Sequence, residues 1–284
     1  MFKIRNSFAL VAAVVTLAPL AACARQDEQT QKKIDLLITK VESLDKKLSS
    51  GAFNRPAGGQ AQPQQPQRKR PDPAVTYYLP VSEQDAVKGA KQGKVTVVEA
   101  YEFACPYCAM LADPMEQVRE KNPDVRFVAK QYVVHPDVAT VPALAACAAT
   151  RQGKWAAWEK ALWSKAWPMN NGQPSFNREQ LAPAALEALA KDVGLDVNRF
   201  KADRDGAECK AQLDATKNQL TQVGVTGTPA IFINGKPYQG ARTPEAITAA
   251  IDDARKQADA VIGKGGVTAE SYYDSIMKNA QKTL

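Results

Sequence analysis

The sequence has one histidine, His135, and five cysteines in 284 residues, and that scarcity narrows the chemistry at once. A zinc site built on Cys105 and Cys108 needs two further ligands, and the lone imidazole stands far along the chain in a Val-His-Pro-Asp turn with no cysteine neighbour. A haem attachment site requires histidine directly after Cys108, where Ala109 stands. No metal and no cofactor is therefore expected, and His135 reads as a loop residue rather than a catalytic base. Long apolar runs are scarce as well, since the stretch from Phe8 to Leu17 is too short for a comfortable membrane span. Concentrated charge of one sign is also missing. The formal net charge is +7, but Lys and Arg are interleaved with Asp and Glu, and Arg68-Lys69-Arg70 is the one tight basic cluster. A mixed surface of this kind argues against a nucleic-acid partner.

What is present begins with an export signal. Lys3 and Arg5 precede the Phe8 to Leu17 run, and small residues follow it, the layout of a secretory signal peptide over residues 1–22. Leu20-Ala21-Ala22-Cys23 resembles the lipobox of bacterial lipoproteins. That resemblance implies a mature chain starting at a lipidated Cys23, with Ala24 beside it rather than the Asp associated with inner-membrane retention. The implied location is the periplasmic face of a bacterial membrane, the outer one. An ordinary signal peptide cleaved nearby is the alternative. With Cys23, Cys105 and Cys108 assigned, Cys147 and Cys209 remain. In an oxidising compartment an even remainder reads as a structural disulfide, the other reading being two buried free thiols.

Ile34, Leu37, Val41, Leu44 and Leu48 recur at spacings of three and four, a coiled-coil seam in a stalk over residues 23–50. Little more than two heptads is marginal alone, so a parallel homo-oligomer, dimer or trimer, would rely on lipid anchors concentrating its copies. A lone amphipathic helix on the lipid surface is the other reading. Residues 51–73 are rich in Pro and Gln and nearly free of apolar side chains, so they read as a flexible linker.

The folded part is expected over residues 74–258, with a C-terminal helical extension over 259–284. Tyr77 to Val81 reads as a short strand, Ser82 to Gln92 as a weak helix and Lys94 to Glu102 as the central strand. The helix opening at Cys105 contains Pro114, an expected kink, and Asp124 to Val134 completes a β-α-β unit. A helical insert spans about 138–223. Ala143 to Trp163 reads as one helix with Trp155, Trp158 and Trp163 on a core face; Asn177 caps a helix over Arg178 to Val193, and Asp196 caps another. A strand follows Pro229, with Asn234-Gly235 as a hairpin turn, and Thr243 caps a helix from Pro244 to about Lys256.

The chemistry centres on Cys105-Pro106-Tyr107-Cys108. A strand that delivers Cys-X-X-Cys to a helix start places the first sulfur where unpaired backbone N–H groups and the helix dipole favour a thiolate. Cys105 is the expected nucleophile and Cys108 the resolving thiol. Pro106 and Tyr107, between them, tune the redox potential.

Strand, dithiol helix, helical insert and the late Gly227-Thr228-Pro229-strand-Asn-Gly-Lys unit together resemble the DsbA-like thioredoxin fold, over roughly Tyr77 to Ala258. The resemblance implies a cis-proline facing the dithiol, at Pro229. It implies that the backbone at Thr228 pairs with a substrate peptide as an added strand. It also implies a buried acid six residues before the first cysteine, at Glu99, relaying a proton to or from Cys108. Glu102, three residues before Cys105, is expected at the surface or as a modest tuner of the thiol. The implied activity is protein thiol–disulfide oxidoreduction on exported proteins bearing thiols or disulfides, with a membrane redox partner. The stalk, linker and Thr228 resemble the oligomeric periplasmic isomerases, DsbC, DsbG and above all ScsC; the family's oxidases are typically monomers. The direction, isomerase or oxidase, stays open. Two other classes share the fold: a non-redox lipoprotein chaperone or scaffold, and a kappa-type glutathione transferase, which normally has Ser in place of the first cysteine.

Overall fold

The computed structural model describes residues 20–49 and 70–284. The signal run, Arg68-Lys69 and linker residues 51–69 lie outside the described residues. The first unit contributes one helix, α1 (Leu20–Ser49), in which Ile34, Leu36, Leu37, Ile38 and Val41 are all exposed. Cys23 falls within this helix. Among the described residues no helix is long and apolar enough to cross a membrane.

The second unit is built on a five-stranded sheet of order β1-β3-β2-β6-β7, comprising β1 (Ala86–Gly89), β2 (Thr96–Tyr101), β3 (Arg126–Gln131), β6 (Ala230–Ile233) and β7 (Lys236–Pro237). β2 and β3 run parallel through the crossover helix α2 (Pro106–Lys121), and β2 pairs antiparallel with β6. All six β2 residues are buried, as expected of a central strand covered on both faces. Because strand side chains alternate, Val97, Glu99 and Tyr101 share one face. Val97 packs on that side with Leu111, Met115 and Val118 of α2 and with Ile247 and Ile251 of α8 (Pro244–Ile262). Val98 and Ala100 face the other way, toward Leu220 of α7 (Ala207–Gln222) and Tyr77 and Leu79.

The helical insert comprises α3 (Pro136–Arg151), α4 (Trp155–Ala166), a two-stranded ribbon of β4 (Met169–Asn170) and β5 (Gln173–Pro174), a 3-10 turn at Arg178–Leu181, α5 (Pro183–Asp192), α6 (Val197–Asp205) and α7. Trp158 is fully buried there, edge-on to Phe103 at 5.6 Å between ring centroids, while Trp163 lies 4.7 Å from Phe103 and 5.7 Å from Tyr101. Each such pair adds ~0.5–1.5 kcal/mol beyond area burial and locks the insert to the end of β2. Cys147 on α3 and Cys209 on α7 are joined in a disulfide, Cα to Cα 5.8 Å.

Several elements depart from the sequence reading. Ser82 to Gln92 is not a helix. Asp85 accepts from the Ser82 N–H at 2.8 Å to make a turn, and β1 then pairs with β3 up to Gly89, whose φ of +80° and whose approach to the Val125 carbonyl no side chain would tolerate. The single helix expected over Ala143 to Trp163 is two helices. Gly153 at φ +69° ends the first, and the N–H of Lys154 returns to the Ala149 carbonyl at 3.1 Å. Pro183 begins α5 and separates it from the 3-10 turn, and Asn177 makes no side-chain cap. Asp196 and Thr243 do cap, accepting from the N–H groups of Arg199 and Ala246. Helix α8 runs on to Ile262, and the last helix, α9 (Tyr272–Lys278), is shorter than expected. Tyr77 makes a single parallel bridge, to Gln281.

Candidate active site

Cys105 is the N-cap of α2 in extended conformation, with Pro106 as the first helical residue. Proline suits this position because its missing N–H would be unpaired there anyway. The carbonyl of Cys105 accepts from the N–H groups of Cys108 and Ala109, each at 3.1 Å, so the first helical turn wraps the sulfur. Both cysteines are free thiols. Cys105 is 4% exposed and Cys108 1%, whereas Tyr107 between them is 60% exposed and Met110 beyond them is also open to solvent.

Opposite environments separate the two sulfurs. The Cys105 thiol is lowered to about 6, first by the hydrogen bond from Cys108, against the cost of burial, then by Thr228 and the backbone N–H groups of Cys108 and Tyr107. Burial above all, and then the neighbouring Cys105, push the Cys108 thiol far above its ordinary value. One sulfur is therefore an anion at neutral pH and the other a proton donor to it.

The antiparallel register of β2 and β6, with Ala100 opposite Ala230, brings the preceding loop over the dithiol. The Thr228–Pro229 peptide is cis, and the Cys105 Sγ lies 3.5 Å from the Thr228 carbonyl oxygen, to which the thiol donates. The Pro229 carbonyl accepts from Arg242 at 3.1 Å.

Glu102 is not at the surface. It is 0% exposed, and its carboxylate accepts from the N–H groups of Val134 at 2.7 Å and His135 at 3.0 Å and pairs with His135 Nδ1. The backbone bends between β2 and α2 there, turning the side chain inward to satisfy donors at the start of α3 that otherwise have no partner. His135 is the N-cap residue of α3, with its ring largely exposed and its pKa raised by Glu102. The single histidine thus belongs to the rim of the site.

Behind the dithiol, Glu99 is 6% exposed and ion-paired to Arg119 Nη2 at 3.1 Å. Arg119 Nη1 reaches Glu159 Oε2 on α4 at 3.2 Å, and Tyr101 donates to Glu159 Oε1 at 2.5 Å. The Glu99 carboxyl is raised to about 7, mainly by burial, with Arg119 pulling it down and Glu159 pushing it up. Sequence reasoning missed Arg119 and Glu159. The available signal was a charge on an apolar stripe: Arg119 continues the Leu111, Met115 spacing of α2, and Glu159 lies between Trp155 and Leu162 on the buried face of α4. Among the described residues no group of three or more His, Cys, Asp or Glu is placed to hold a metal ion.

Comparison with known proteins bears on the fold. The Na(+)/H(+) antiporter NhaA 3 of Salinispora tropica is 34% identical over 187 residues, covering 63% of this chain and 26% of that protein. The chain spans about a quarter of the length of the curated relatives it matches. A thioredoxin-like oxidoreductase from Silicibacter pomeroyi DSS-3 is 26% identical with a TM-score of 0.52, covering 62% of this chain and 94% of that one. Oxidised BdbD from Bacillus subtilis shares the fold at 19% identity and a TM-score of 0.55, covering 66% of this chain and 100% of that one. The thioredoxin family model matches residues 81–253, more than half of the sequence. By that match the chain belongs to the thioredoxin family.

Proposed function

We propose that the chain exchanges disulfides with exported proteins through Cys105 and Cys108. The observation that carries this reading is the pair of free thiols at the start of α2, Cys105 at the N-cap beside the cis Thr228–Pro229 peptide and Cys108 buried one turn inside. In the reducing direction the Cys105 thiolate attacks a substrate disulfide. A Cys105–substrate bond forms, and the substrate's second sulfur leaves with the electron pair and takes a proton. Cys108 then loses its proton to Glu99 and bonds to Cys105, releasing the first substrate sulfur; the enzyme is oxidised by two electrons and the substrate disulfide reduced. The reverse sequence oxidises a substrate dithiol. A carboxyl titrating near neutrality both gives and takes that proton. Tyr107 and Met110 offer apolar contact beside the sulfur, and the backbone at Thr228 pairs with the substrate strand. Pro106 and Tyr107 tune the potential.

The direction leans to isomerase. On α1, Ile34, Leu37 and Val41 expose apolar side chains along one heptad seam, which fits a parallel dimer or trimer holding several dithiols near one another. Residues 1–22 are the export signal, Cys23 carries the lipid at the periplasmic face of the outer membrane, residues 23–50 form the stalk, 51–73 the linker, 74–258 the catalytic domain and 259–284 its extension. A membrane redox protein resets the dithiol. Refolding of scrambled ribonuclease by the chain with and without residues 29–50 tests the direction. Loss of isomerase activity on removing the stalk supports it; undiminished activity together with strong dithiol oxidation makes the chain a lipid-tethered oxidase.

A further inference from the structure

The reaction just described uses Glu99, but it leaves unexplained why a second carboxylate from the insert is buried beside it. Glu159 is 4% exposed and shares the Arg119 guanidinium with Glu99, at 3.2 and 3.1 Å. Two carboxylates and one guanidinium sum to one excess negative charge in a buried space, and a single proton cancels it. Burying an uncompensated charge is costly, so a site of this kind retains that proton.

The other charged and titratable groups around Glu99 are few. From α2 come Arg119 and, at 3.6 Å from the guanidinium, Glu116, which is half-buried and paired with Lys88. Glu159 comes from α4, and Tyr101 from β2 itself donates to it at 2.5 Å, stabilising its anionic form. Arg242, from the loop after β7, acts on Glu99 through charge. Across the sheet Glu99 faces Ala129 of β3 and Ile231 of β6, which carry none. Burial, opposed by Arg119 and reinforced by the Glu159 charge, places the proton chiefly on Glu99. Arg119, Glu159 and Glu116 also border a cleft of about 460 Å³ between α2 and α4, walled by Trp163 and Trp167, which gives the pair a way to exchange protons with solvent away from the substrate face.

We propose that Glu159 is a positioning residue for the redox reaction: through the shared Arg119 it makes Glu99 keep a proton at neutral pH, so that Glu99 can exchange it with Cys108. Glu159 touches neither sulfur nor substrate; it sets the charge balance that Glu99 answers to. When Cys108 bonds to Cys105 in the mixed disulfide, its proton moves to Glu99 in the fraction of molecules whose Glu99 has released its own to solvent, and the substrate sulfur leaves with the electron pair. When a substrate thiolate opens the Cys105–Cys108 disulfide, Glu99 returns that proton to the departing Cys108. The proposal rests on the thiol-exchange reading, and it places part of the proton control in the inserted helices rather than in the thioredoxin core.

The test is a carboxyl-carbon NMR titration of the full, reduced chain without substrate, beside the pH profile of mixed-disulfide resolution. In the wild type, the Glu99 resonance is expected to inflect near pH 7, where the rate of resolution inflects as well. Glu159→Gln removes the second negative charge and is expected to shift the Glu99 inflection and the rate inflection down together, by about half a pH unit or more; Glu159→Asp, which keeps the charge, is expected to return both toward the wild-type position. A Glu99 inflection at the ordinary carboxylate value in the wild type, or inflections that ignore Glu159→Gln, overturns the proposal. The wild-type titration needs no variant to fold. It also needs no turnover, so absent thiol exchange with a Glu99 inflection that still answers to Glu159→Gln would count against the redox reading and leave the carboxylate pair standing.

Discussion

The two faces of the dithiol are built on opposite principles. On the substrate side, Cys105 meets the Cys108 thiol, backbone N–H groups and a rim carrying Glu102 and His135, so polar groups come to the sulfur and its charge is stabilised. On the inner side, Cys108 meets burial, and beyond it Glu99, Arg119 and Glu159 have charge enclosed with them and must balance it among themselves. Two cysteines three residues apart therefore diverge because one stands at a helix end and the other one turn inside. Burial of one sulfur and hydrogen bonds to the other make them unequal.

The sharpest way to break this comparison is to remove each sulfur. Cys105→Ala is expected to abolish disulfide exchange altogether, whereas Cys108→Ala should still attack and then stall as a mixed disulfide, visible on a non-reducing gel. Equal loss in both variants with no trapped species would erase the distinction between the faces. Next comes alkylation of the reduced protein against pH. Cys105 should react with a midpoint near pH 6 and, at pH 7, carry on the order of 100-fold more thiolate than a thiol of ordinary pKa. Cys108 should stay unreactive in the folded chain.

The inner face is tested by stability. Glu99 titrates at about 7 when folded against 4.5 in its unperturbed state, so between those values the unfolded chain has released a proton that the folded chain keeps. Stability from this group is therefore lost as pH rises through that window. Glu99→Gln should stabilise the reduced chain by about 3 kcal/mol at pH 8 and by almost nothing at pH 4, read by denaturant unfolding. A gain independent of pH would separate Glu99 from the titration assigned to it. The smallest effect is expected at the rim: His135→Ala removes a cation raised by Glu102 but solvent-exposed, so the Cys105 midpoint should rise only slightly, and less in high salt.

The strand, the dithiol helix and the hairpin after Pro229 were legible because each carries a local signature: β-branched residues, Pro at the first helical position, Asn-Gly at the turn. Element ends were legible where a glycine or a cap decided them locally, as at Asp196 and Thr243, and illegible where tertiary pairing overrode propensity, as in β1, which is a strand only because β3 offers it an edge. The Ala143 to Trp163 reading failed because periodicity carried across Gly153 while the backbone did not. In the site, Glu102 was misplaced because three-residue spacing from Cys105 says nothing about which way a bend turns a side chain. Arg119 and Glu159 were missed because a buried charge network is assembled from α2, β2 and α4, and no segment of sequence contains it.

The bridge from Tyr77 to Gln281 has a mechanical consequence. The Tyr77 N–H is tied to the Gly235 carbonyl, that of Tyr78 to the Gln281 carbonyl and that of Gln281 to the Thr76 carbonyl, at 2.8 to 2.9 Å. Tension entering along the chain from residues before Asp72 meets these three bonds, and the Tyr77 phenol that accepts the Asp72 N–H, before it reaches β2. A tug on the leading segment is met first by this clasp at the turn after β6, so its load reaches the sheet through the Gly235 and Gln281 pairings rather than through β2 directly.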